Sequence, residues 1–284
     1  QLAAINLVTP MQNIITNFGS GITVAGAVLI AQYIGAGEKE DARSMANQIF
    51  ICAMGFAVVC AALCFLGTPA IVNWLGADGG TAYYARVYLR VVIWDMPFLY
   101  MVNIFSAVHQ AQGDTVRPML LNLGGITLNL FLDPFFMIIL DMGTAGAALA
   151  TLLAKAVPAT VAFILLCRPE NDICLNRRYM QLQREKLGMI LKVGLPTAIG
   201  GSTMQLGFLL MSKNVFVYGT EAMAAYGIGN KVNGLITLPS NAIGSATATI
   251  VGQNMGAKQP ERAEQGYRFS MWISVVFLFI GGMI

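Results

Sequence analysis

Asp133 is an ionisable carboxylate set in an apolar run, Leu130-Phe131-Leu132-Asp133-Pro134-Phe135-Phe136. Asn129 stands four residues earlier, so on a helix the two side chains share a face. Pro134 has no N–H to give the Leu130 carbonyl, which leaves one backbone oxygen free beside the pair. A carboxylate, an amide oxygen and a free carbonyl are hard ligands that suit a proton or a cation such as Na⁺. The alternative is a buried Asp held by hydrogen bonds as a packing device. Two polar stripes add to this picture. Asn6, Thr9, Asn13, Asn17 and Ser20 fall at helical spacing near the start of the chain, and Asn230, Asn233, Thr237 and Asn241 do so near its end. Either stripe lines a water-filled cavity or hydrogen-bonds between helices, and the two roles are compatible. Asp95, before Met96-Pro97, reads as a second buried acid, with Arg90 five residues earlier as a neutralising charge. His109 is the single histidine and falls at a helix end, where an interfacial place is expected rather than a proton relay.

The elements that must hold these groups follow from composition. The 284 residues are 56% apolar and 11% charged, with a mean hydropathy of +0.66. A soluble fold needs about 25% charged residues to cover itself, so the chain reads as a multi-pass membrane protein. A carboxylate at the centre of a spanning helix costs about 2.5–3.5 kcal/mol, so Asp133 is expected to face a cavity and to carry a role. The five cysteines form no CxxC pair, and no HExxH motif, phosphate loop or nucleophile elbow is present. No metal site beyond a Na⁺ at Asp133, no cofactor and no nucleic-acid partner is expected. An integral-membrane enzyme would need a catalytic cluster near an interface, and the lone His109 argues against one.

Eight apolar stretches are long enough to span: 4–35, 45–67, 84–108, 118–140, 144–167, 189–217, 222–255 and 266–284. The gaps alternate in charge. Gaps one, three, five and seven carry Lys39, Arg43, Arg117, Arg168, Arg177, Arg178, Arg184, Lys186, Lys258 and Arg262, whereas 68–83, 141–143 and 218–221 carry no Lys or Arg. The positive-inside rule places the odd gaps in the cytoplasm of a plasma-membrane protein.

Residues 25–42 repeat at 246–263, an offset of 221. Ala25, Ala27, Gln32, Gly35, Ala36, Glu40 and Ala42 meet Ala246, Ala248, Gln253, Gly256, Ala257, Glu261 and Ala263. A helix precedes the second copy, so a matching helix is expected before residue 1, giving six helices per copy. An even number keeps both copies in one orientation, as the loop charges require. The division expected is 1–168 as an amino-terminal lobe lacking its first helix, 169–188 as a cytoplasmic linker, and 189–284 as the first three or so helices of a carboxy-terminal lobe.

Three runs resemble the multidrug and toxic compound extrusion (MATE) family: Gln112-Gly113-Asp114-Thr115 through Arg117-Pro118, Asn129 through Pro134, and Gly143-Thr144-Ala145-Gly146-Ala147-Ala148-Leu149-Ala150-Thr151. Val193-Gly194-Leu195-Pro196, Ala225-Tyr226-Gly227-Ile228 and the paired loops at Gly35 and Gly256 are similar to it as well. The resemblance implies an all-α, two-lobe bundle of parallel six-helix repeats, truncated here at both ends to about eight of twelve helices. It implies a monomeric antiporter, driven by H⁺ or Na⁺, that exports organic, cationic amphipathic compounds by alternating access. It also implies that Asp133, Asn129 and Thr151 bind the cation; Asn13, Asn17, Asn233, Thr237 and Asn241 of the polar stripes are the candidates to line a central cavity. Lys155, one turn beyond Thr151, is a candidate modulator: it either lies near Asp133 in the cation's place or snorkels to the surface. The alternatives are a lipid-linked saccharide flippase of the same superfamily, which wants a more cationic cavity, and a non-transporting membrane protein.

Overall fold

A computed structural model describes residues 2–74, 83, 86, 90, 93–168, 171–176, 179–216 and 218–283. Eight α-helices and no strands occur among them. They are α1 (Leu2–Gly35), α2 (Lys39–Trp74), α3 (Met96–Ala111), α4 (Val116–Pro134), α5 (Gly143–Leu166), α6 (Arg184–Phe216), α7 (Thr220–Gly256) and α8 (Pro260–Met283). A 3-10 turn, Ile93–Asp95, leads into α3, and a π-helical turn, Phe135–Ile139, follows α4.

The helix boundaries have local causes. Glu40 and Asp41 sit in the first turn of α2, where carboxylates favour the positive end of the helix dipole. Asp114 caps α4, accepting from the Val116 and Arg117 N–H groups at 3.0 and 3.3 Å. α6 begins at Arg184, inside the stretch expected to be linker, because Arg184-Glu185-Lys186 extends the helix beyond its apolar part. The first half of the expected 84–108 span lies largely outside the described residues.

Among the described residues, five stretches are long and apolar enough to cross a membrane: Thr16–Gly35, Lys39–Pro69, Val116–Ile139, Ala145–Leu166 and Pro260–Met283. α3 has only 16 residues, and α6 and α7 fall below that apolarity because Gly, Ser, Thr and Asn interrupt their sequences. α4 and α8 present Leu120, Ile126, Leu130, Phe131, Trp272 and Phe279 outward, as lipid-facing helices do. The core lies between α1, α2, α3 and α5, around Ile30, Met45, Ile49, Met96, Tyr100, Ile104, Phe105 and Leu166.

α1 packs on α2, α3, α6 and α7, and α8 lies against α7. The internal repeat survives in the hydrogen bonds. Ala36, Gly37 and Glu38 N–H groups return to the carbonyls of Gln32, Ile34 and Tyr33 at 2.9, 3.0 and 2.9 Å. Ala257, Lys258 and Gln259, each 221 residues on, return to Gln253, Met255 and Asn254 at 2.9, 3.1 and 2.9 Å. The turn puts Gly37 at φ 79° and Lys258 at φ 56°, so the second copy keeps the left-handed cap without the glycine that normally fills it.

The two copies also meet each other there. A Cβ on Gly35 would lie 1.9 Å from the Gln253 carbonyl oxygen, and one on Gly256 would lie 1.9 Å from the Gln32 carbonyl oxygen. Each glycine faces the backbone of the residue equivalent to its own neighbour. The contact is self-complementary, as a two-fold axis between parallel repeats demands.

The linker is fastened to α2. Asn47 and Gln48 are fully buried. Asn47 accepts from the Asn176 N–H (3.1 Å) and donates to the Cys174 carbonyl (3.4 Å). Gln48 donates to the Tyr179 and Gln181 carbonyls (3.2 and 2.7 Å) and accepts from the Gln183 N–H (3.1 Å). Lys39 and Arg43 both bond Asp172, and Lys186 reaches Asp41 at 2.8 Å.

Candidate functional site

At the end of α4 the apolar sequence is interrupted by Asn129, Asp133 and Pro134. Pro134 cannot donate to Leu130, and the chain responds with the π-helical turn, in which the Leu140 N–H reaches back five residues to the Phe135 carbonyl at 3.1 Å. Such turns within α-helical runs free backbone oxygens and gather at functional sites. One turn before, Asn129 Nδ2 donates to Asp133 Oδ1 at 3.3 Å. That bond spends an amide proton and leaves the amide oxygen for another partner.

Asn129 lines a cavity of about 250 Å³ between α3, α4 and α5. Asn122, Thr151 and Lys155 are its other polar walls, and Leu99, Leu121, Ile126 and Pro158 are among its apolar ones. Thr151 donates its hydroxyl proton to the Ala147 carbonyl at 2.9 Å, so its oxygen lone pairs face outward. Asn129, Thr151 and Lys155 thus share one space, and Asp133 joins it through Asn129. The donor set of carboxylate, amide oxygen, hydroxyl oxygen and freed carbonyl fits a hard cation or a proton. Among the described residues no three His, Cys, Asp or Glu side chains gather as a transition-metal site would require.

Lys155 donates to Asp95 Oδ2. The Asp95 side chain is fully buried, while Lys155 keeps 31% of its side chain exposed. Arg90 lies over the ring of Phe65, 5.8 Å from its centroid. Nothing in the sequence links positions 95 and 155, because the pair forms between helices rather than along one.

A second cavity, of about 560 Å³, lies between α1, α3 and α7. Ser20, Thr23, Asn103, Ser106, Gln110, Asn241 and Ser245 supply its polar walls. Ser245 Oγ donates to Gln110 Oε1 at 3.2 Å, and Gln253 Nε2 caps the end of α3 at the Ala111 carbonyl, 2.7 Å away. Asn241 and Ser20 from the expected stripes are here. Asn17 is half-buried next to it, its carbonyl accepting from Ser20 at 2.7 Å. Asn233 is exposed, and its carbonyl accepts from Thr237 at 3.0 Å. The side chain of Asn13 lies outside the described set. Asn103, Ser106 and Gln110 were missed, although their spacing of three and four residues marks one polar face of α3.

His109 is buried, with Nδ1–H donating to the Phe105 carbonyl at 3.0 Å and its ring on the Phe105 ring, centroids 4.0 Å apart. The packing of α3 against α1 and α2 covers it.

The MatE family model matches residues 1–135 and 196–284. The chain is 31% identical over 270 residues to the probable multidrug resistance protein NorM of Thermotoga maritima, covering 92% of this chain and 57% of that protein. It is 24% identical over 290 residues to the probable multidrug resistance protein YoeA of Bacillus subtilis, covering 100% and 62%. Among solved structures, one of a MATE protein in complex with MaL6 superposes with a TM-score of 0.93 at 26% identity, covering 97% of this chain and 62% of that one. The outward-facing structure of a multidrug resistance MATE family transporter of the MOP superfamily superposes with a TM-score of 0.91 at 27% identity, with the same coverage. The chain therefore spans 57–62% of the length of these relatives. With the helical architecture and the family match in agreement, the chain belongs to the MatE family.

Proposed function

We propose that this sequence is part of a cation-coupled antiporter that exports organic, cationic amphipathic compounds by alternating access. Asp133 carries the coupling H⁺ or Na⁺. The observation that carries the reading is the Asn129–Asp133 hydrogen bond at a proline-broken helix end, opening through Asn129 onto a cavity that Thr151 also lines. An intramembrane carboxylate with oxygen neighbours and a freed carbonyl is suited to bind and release a cation. The cavity between α1, α3 and α7 supplies the polar surface for substrate, and the repeats rock about it. Relatives named as multidrug resistance and multidrug export proteins support the substrate class. The protein works as a plasma-membrane monomer, without a cofactor and without enzymatic chemistry. The flippase alternative wants uncompensated positive charge. Of Lys155, Lys213 and Lys231, the lysines that favour it, Lys155 has its charge offset by Asp95.

In the full-length native chain, Asp133→Asn removes the ionisable group at constant volume and lowers the burial penalty of the helix. Gradient-driven efflux of a cationic dye from proteoliposomes is expected to vanish while membrane insertion stays intact. Asn129→Ala, which deletes one neutral ligand, weakens coupling less. Efflux by Asp133→Asn at the parent rate would leave Asp133 a packing residue.

A further inference from the structure

The Asp95–Lys155 pair has no part in the cycle proposed above, and its placement is unusual. Asp95 ends the 3-10 turn before α3, with its carboxylate fully enclosed. Lys155 lies mid-way along α5, one helical turn from Thr151, in the wall that also holds Asn129. Replacing a buried ion pair with apolar side chains is often neutral or stabilising, so stability alone does not account for these two charges. A lysine also differs from a fixed charge. Its ammonium rides on a flexible four-carbon stem with three donors, and here it retains exposure on the cavity side. Two carboxylates are each bonded to a side chain that lines that cavity. Asp95 holds the ammonium, and Asp133 stands behind Asn129.

Resting on the reading of Asp133 as the coupling site, we propose that Asp95 is a positioning residue: it holds the Lys155 ammonium off the Asp133–Asn129–Thr151 site, leaving that site open to the coupling cation. Without Asp95, Lys155 becomes a tethered competitor in the same cavity. A group on a short flexible stem has an effective concentration in the millimolar range or above, comparable with free Na⁺ and far above free H⁺ near neutral pH.

The test uses the full-length transporter in proteoliposomes, with ethidium efflux measured against Na⁺ at fixed pH and against pH at fixed Na⁺. Asp95→Asn is expected to raise the half-maximal concentration of the driving cation at least tenfold. Asp95→Asn with Lys155→Gln returns it to within about threefold of the parent, because the competitor has gone with its restraint. A purely structural pair gives no such rescue. Should Asp95→Asn fail to fold, the double variant Asp95→Asn/Lys155→Cys, which leaves no buried charge, is made in a background without the five native cysteines. Attaching an aminoethyl group to Cys at position 155 then lowers cation affinity, and attaching a methyl group does not. An unchanged cation dependence in Asp95→Asn, or a loss that Lys155→Gln fails to reverse, overturns the proposal, as does an equal response to both reagents. Asp133→Asn is measured in parallel. If it keeps full cation dependence, the coupling-site reading falls and this proposal with it; if it abolishes coupling while Asp95→Asn is harmless, only this proposal falls.

Discussion

Gly35→Ala should open the bundle at the end carrying the basic loops. The added Cβ would stand 1.9 Å from the Gln253 carbonyl oxygen, and Gly256→Ala makes the equivalent overlap with the Gln32 carbonyl oxygen. Ordinary contact needs about 3.5 Å, so the helices must retreat by roughly 1.5 Å. Both obstacles are backbone, and no side-chain rotation relieves them. Overpacking of this kind costs about 1–3 kcal/mol. The cost applies only while α1 and α7 touch, so it shifts the balance toward the separated arrangement by a factor of about 5–150. Spin labels at Glu40 and Glu261, exposed and repeat-equivalent, report the gap by pulsed electron-electron resonance. The long-distance population is expected to grow in Gly35→Ala and again in the double variant, less than additively because the two contacts share one interface. Gly124→Ala, which meets nothing within 4 Å, is the control. An unchanged distance distribution in a folded Gly35→Ala protein would refute the claim that this backbone contact closes that end.

Two further outcomes bear on the frame. Gln48→Ala strips the partners of the Tyr179 and Gln181 carbonyls and of the Gln183 N–H, a loss of about 1–3 kcal/mol that amide exchange should localise to residues 179–183. Lys258→Gly removes a side chain from a left-handed backbone position, worth about 1 kcal/mol, and should raise the thermal midpoint in detergent; an unchanged or lower midpoint would show that the lysine side chain compensates.

Much of this architecture can be read before any coordinates. Helices over most of the expected spans follow from apolar run length, and the offset of 221 anticipates a pairing that reappears in matched turn hydrogen bonds. The Asn129–Asp133 bond is visible in a four-residue spacing. Thr151 entered through family resemblance, since no spacing along the chain brings it to Asn129. The Asp95–Lys155 pair was not legible, because two helices 60 positions apart choose their contact through packing. Lys258 hides the left-handed cap, because backbone hydrogen bonds hold that conformation without a glycine to announce it. The burial of His109 depends on which helices cover α3, and hydropathy along α3 does not encode that.

A connection between two moving bodies is commonly pictured as slack cord. Asn47 and Gln48 make this one a bracket: its backbone is bolted to the first body at Cys174, Asn176, Tyr179, Gln181 and Gln183. Lys186 adds a further bolt to Asp41 from within the first turn of α6. In the rocking motion proposed above, displacement of the second body would therefore not be absorbed by uncoiling of residues 179–183. It would arrive at the start of α6 as torque on one helix axis, a second route between the repeats beside the direct packing of α1 on α6 and α7.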